Sequence, residues 1–125
     1  MLNRIVVLLL LCLMPTSSLA GVQERIEVNG YVLNLSSDCL LIVSIDNEAA
    51  IVRLAGVAYP EDDRRYFNEA REFVSSMAMS KTVHIEYLGR DRSGIKLGRV
   101  HIDNVCLNDA LIQAGLAQSE PSTIG

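Results

Sequence analysis

The chain has 125 residues, 11 Lys and Arg against 15 Asp and Glu, a formal net charge of −4 and an apolar half. That acidic balance excludes a global basic field drawing in nucleic acid, so a polyanion would need a local site or a bound cation. Three cysteines with no CxxC pair, and two histidines isolated from any cysteine cluster, argue against a zinc framework.

Residues 1–20 read as a signal peptide. Arg4 is the positive start, "IVVLLLLCLM" the apolar stretch, Pro15 its end, and Ser18 and Ala20 give a small-x-small cleavage site. About ten apolar residues fall short of the ~20 needed to span a bilayer, so no stable membrane anchor is expected. Acylation at Cys12 would need a small residue before it, where Leu11 stands. The expectation is an exported product, periplasmic or secreted, starting at Gly21. Its 105 residues carry a net charge of −5 once Arg4 is removed. One domain of that size buries roughly 65% of its unfolded surface without metal or disulfide support. Cys39 and Cys106 remain, each beside apolar residues, and both a disulfide and two buried thiols stay open.

The first half reads as β-structure. "RIEVNGYVLNL" and "DCLLIVSI" are β-branched runs, "DNE" at 46–48 is a turn, and "AAIVRLAGV" returns as a third strand. The period then changes. Tyr66, Ala70, Phe73, Val74 and Met77 mark the apolar face of an amphipathic helix, and "EDDRR" at 61–65 reads as its solvated, capping start. Strand period resumes in "TVHIEYL", where His84 takes an outward position, and after the polar loop "GRDRSG" in "LGRVHI", where His101 does the same. A turn at Asp103-Asn104 leads to a short helix, "NDALIQA", stopped by Gly115. Three strands, a helix, two strands and a helix predict a mainly β (α+β) fold, a five-stranded barrel of the oligonucleotide-binding (OB) type.

Four stretches stand in a telling order: "SSDCL" at 36–40, "RLAGVAYPE" at 53–61, "DRSGIKLGRV" at 91–100 and "CLNDALIQAGLA" at 106–117. Together they resemble the staphylococcal nuclease (thermonuclease) family over about residues 24–117, within one domain of residues 21–125. The resemblance implies a calcium-dependent phosphodiesterase acting on DNA or RNA. By position, Asp38 would be a metal ligand, the Tyr59 backbone carbonyl a second, and Glu61 a third that also handles the attacking water. Arg53 would contact the phosphate. A pentacoordinate phosphorus gains negative charge, which a guanidinium fork binds well, and calcium takes several hard oxygen ligands.

Three positions depart from the family pattern. Ser36 and Ala58 stand where the family has aspartates, and Ile95 where it has a second arginine. Loss of one charge-stabilising donor costs about 10²–10³ in rate, and fewer carboxylates weaken calcium binding. Lys96, Arg99, Asp62 and Asp63 are the neighbouring residues that could substitute. Residues 118–125 are too rich in Pro, Ser, Thr and Gly for the further helix that family members carry as a substrate wall. The expectation is a domain with weak or absent Ca²⁺ binding and reduced or lost nuclease activity, or an inactive secreted OB module that binds single-stranded DNA, RNA, another polymer or a protein.

Overall fold

The computed structural model describes residues 26–121, so the expected signal peptide lies outside the described residues. β1 (Ile26–Leu35) is long enough to serve two neighbours. Its first half pairs with β5 (Thr82–Arg90) and its second with β2 (Leu41–Ile45), both antiparallel. Gly30 sits where the strand changes partner, and a Cβ there would collide with the Val43 side chain. β2 and β3 (Glu48–Leu54) are joined at Asp46 and Asn47, whose φ values of 52° and 65° are those of a tight hairpin turn.

β5 pairs with β6 (Lys96–Ile102), and β6 runs parallel to β3 with Arg53 opposite Leu97, which closes a five-stranded barrel. Gly98 allows that closure, because an added Cβ would lie 2.9 Å from Ile85 and 3.1 Å from Val52. Inward positions of the strands form the core, with Leu41, Val43, Val52, Ile85 and Val100 fully buried. The barrel is the predicted OB type.

The structure divides the predicted third strand. β3 ends at Leu54, Gly56 takes a φ of 70°, and a separate β4 (Val57–Ala58) pairs with β8 (Gln118–Ser119). Strands of two residues have too little period to be seen in a sequence. Helix α1 (Arg64–Ala78) lays Ala70, Val74 and Ala78 on the core. Tyr66 departs from its expected apolar face and is 52% exposed, because it stands one turn ahead of Ala70, the first helix residue that the core buries.

After β7 (Val105–Cys106), helix α2 (Leu107–Gln113) buries Leu107 and Leu111. It ends on Gly115 as predicted: φ is 75°, Leu116 N–H donates to the Leu111 carbonyl and Gly115 N–H to that of Ile112. Both Cys39 and Cys106 are free thiols.

Candidate active site

An open cleft of about 1280 Å³ lies where the end of β3, the β4–α1 segment, the β5–β6 loop and the chain after α2 meet. Arg53, Ala58, Tyr59 and Glu61 all line it, so the structure brings most of the expected site residues together. Arg53 is the penultimate residue of β3, on the outward face between buried Val52 and Leu54. Its Nε donates to Asp91 Oδ2 at 2.7 Å.

Asp91 was not a candidate from sequence, and it organises the loop. Its Oδ1 accepts the backbone N–H of Ser93 at 2.8 Å and of Ile95 at 2.9 Å, while its own N–H donates to the Ile95 carbonyl. The Ile95 N–H first, then Arg53 and the Ser93 N–H, hold the Asp91 carboxyl below the usual aspartate range. Aspartate heading "DRSG", with Gly94 at a φ of 86°, is the sequence signal that could have found it.

Glu61 is exposed on the segment between β4 and α1. Asp63 is committed to the helix start, accepting from the N–H groups of Arg65 and Tyr66. Of the acidic neighbours only Asp62 has no such structural duty. The Tyr59 hydroxyl is buried with no hydrogen-bond partner, its ring packed edge-on against Phe67 at 5.7 Å. Burial pushes its phenol far above the ordinary tyrosine range, and raises the neighbouring Cys39 thiol as well.

Asp38 is placed differently. It is exposed in the β1–β2 turn and does not line the cleft. Ser36, expected from the resemblance at an aspartate position, builds that turn: its Oγ accepts from Asp38 N–H at 3.2 Å and Leu40 N–H at 3.0 Å. Arg71 of α1 ties the turn down by donating to the Ser36 and Leu35 carbonyls. Ile95 also lies outside the cleft lining. Neither basic neighbour replaces the missing arginine, since Lys96 sits 4.9 Å over the Tyr87 ring and Arg99 pairs with Asp109 at 2.9 Å.

Among the described residues, no three His, Cys, Asp or Glu side chains gather at metal-ligand spacing. Ala58 brings a methyl and Asp38 is not among the cleft-lining residues, so of the expected calcium ligands only Tyr59 and Glu61 line the cleft. Arg53 and Arg92 face Glu61, Asp62, Asp63, Asp91 and Glu120 in the same cleft, so its charge is acidic overall.

Asn108 ties α2 to the barrel. Its buried amide accepts from Val100 N–H and donates to the carbonyls of Ala55 and Gly98, joining α2 to β6 and to the chain leaving β3. The motif residue "LN" is therefore a structural tie.

A family model described as "Staphylococcal nuclease homologue" matches residues 51–123, a span that includes Arg53, Glu61 and Asp91 and begins after Asp38. Two curated proteins named "Uncharacterized endonuclease", from Escherichia coli and Escherichia coli O157:H7, are each 28% identical over 92 residues. Those matches cover 73% of this chain and 60% of each relative's length. With more than half of its length matched and a closed OB barrel carrying the arginine and glutamate in one cleft, the chain belongs to the staphylococcal nuclease homologue family.

Proposed function

We propose that the chain is an exported nuclease-family domain whose cleft takes the phosphodiester backbone of single-stranded DNA or RNA, with hydrolysis reduced or lost. The observation that carries this reading is Arg53. It is steadied through Nε by Asp91, in the same cleft as Glu61, and its terminal guanidinium nitrogens make no hydrogen bond to any described residue. Those nitrogens are the fork that a phosphate would take.

The reduction follows from what surrounds Arg53. Ala58 offers no ligand, and a surplus of carboxylates repels a polyanion, so calcium and substrate both bind weakly. Export rests on Arg4, the apolar run and the "SLA" site of residues 1–20. No described helix is long and apolar enough to cross a membrane.

The test is cleavage of denatured DNA and of RNA by the full chain in millimolar calcium and in chelator, with fluorescence anisotropy of a labelled oligonucleotide alongside. The expected result is weak, salt-sensitive binding that Arg53→Gln removes, with cleavage slight or absent. Robust cleavage unaffected by Glu61→Gln would overturn the site. Absence of any nucleic-acid binding would transfer the cleft to a protein or other polymer partner.

A further inference from the structure

Outside the cleft, strand pairing places Asn29, His84 and His101 in one row on the barrel's outer face. Asn29 lies opposite His84 across β1 and β5, and His84 opposite His101 across β5 and β6. Their sequence neighbours Val83, Ile85, Val100 and Ile102 are buried, which turns both imidazoles outward onto a shallow hollow. Two histidines 17 positions apart in sequence thus have ring centroids 6.2 Å apart, tilted by 44°.

We propose that His84 and His101 form a two-imidazole chelate for a borderline divalent transition metal such as Zn²⁺ or Ni²⁺. With metal–nitrogen bonds of about 2.0–2.1 Å, two rings sharing one tetrahedral ion have centres roughly 5 Å apart. The pair, on neighbouring strands, closes to it by a small side-chain rotation. Asn29 Oδ1 lies 2.9 Å from His84 Nδ1. An amide oxygen only accepts, so this contact takes an N–H at Nδ1 and leaves Nε2 as the nitrogen for a metal. That is the outer-shell arrangement that orients a ligating histidine.

Glu27 Oε2 is 3.7 Å from the same Nε2, which places negative charge beside the incoming cation. Imidazole nitrogen selects zinc, nickel or copper over calcium or magnesium. No three protein donors are gathered among the described residues, so solvent fills the other positions and the ion exchanges readily. Cys106 faces His101 across β6 and β7, but its thiol lies 3.9 Å from Asn108 Oδ1 and is not counted as a ligand.

Calorimetric titration of the full chain with Zn²⁺ and with Ni²⁺ tests the site. One ion per chain is expected, with affinity falling about tenfold or more in His84→Ala and in His101→Ala, and by a smaller factor in Asn29→Ala. Calcium should not compete. Circular dichroism establishes that each variant is folded, and Ni²⁺ should broaden the imidazole proton resonances of both histidines before any others. Parent-like affinity in both histidine variants, or broadening that begins at cleft residues, would overturn the proposal.

Discussion

Arg53 on β3 and Asp91 on the β5–β6 loop close an ion pair at 2.7 Å, joining two walls of the cleft. The pair has an acid-limb consequence. Asp91 titrates lower in the folded protein than in the unfolded chain, so over that window the unfolded state binds more protons. Its stabilising contribution is complete above the ordinary aspartate pKa of about 3.9 and is lost as pH falls through the folded value. Asp91→Asn removes this dependence. Thermal melts should show the parent more stable than the variant near neutrality and the gap narrowing toward about pH 2; a constant gap would mean that Asp91 does not titrate below its ordinary range.

Asn108 makes three buried hydrogen bonds to the main chain. Truncation to alanine takes the side-chain partner from the Val100 N–H and the Ala55 carbonyl, at about 1–3 kcal/mol for each, while the Gly98 carbonyl keeps the Ala55 N–H. We expect Asn108→Ala to lose about 3 kcal/mol or more in urea unfolding. Asn108→Asp should fare no better, because a carboxylate cannot donate to Ala55 and Gly98. A loss under about 1 kcal/mol would show that water replaces the amide.

The barrel was legible because its strands alternate faithfully: Val83 and Ile85 point in, His84 points out, and the turns at Asp46-Asn47 and Asp103-Asn104 carry residues that tolerate positive φ. Arg53 and Glu61 were legible as the two ends of one motif. Asp91 escaped because its role depends on a partner 38 positions away. Tyr66 was misplaced for a related reason: helical period assigns a face, while only the packed barrel determines how far along the helix that face is covered. Asp38 shows the reverse case. Its position in the motif pointed to a ligand, yet the turn built by Ser36 leaves it exposed and outside the cleft lining.

The Tyr59 hydroxyl is a buried polar group with no hydrogen-bond partner. Removing it should relieve a desolvation cost rather than break a bond, so Tyr59→Phe is expected to be neutral or to stabilise by about 1 kcal/mol. Tyr59→Ala, which also deletes the packing on Phe67, should destabilise by about 3–5 kcal/mol. A Tyr59→Phe variant that loses more than about 1 kcal/mol would reveal that the hydroxyl has a partner, with the Cys39 thiol the nearest candidate.

On the proposed reading, in which hydrolysis is reduced or lost, restoring the two expected family residues tests whether that loss is local. Ala58 already lines the cleft beside Tyr59 and Glu61, so Ala58→Asp places a carboxylate where the acidic side chains lack one. Ile95 lies on the loop that Asp91 organises, and the longer side chain of Ile95→Arg can reach toward the cleft that the isoleucine does not line. Metal and guanidinium act on the same transition state, so each single change should do little and the pair should act together. We expect the double variant to raise calcium-dependent cleavage of denatured DNA about 100-fold or more over either single variant. Glu61→Gln in that background should abolish the gain. A folded double variant that binds calcium and remains inactive would place the lesion elsewhere, in the exposed position of Asp38 or in the excess of acidic groups around Arg53.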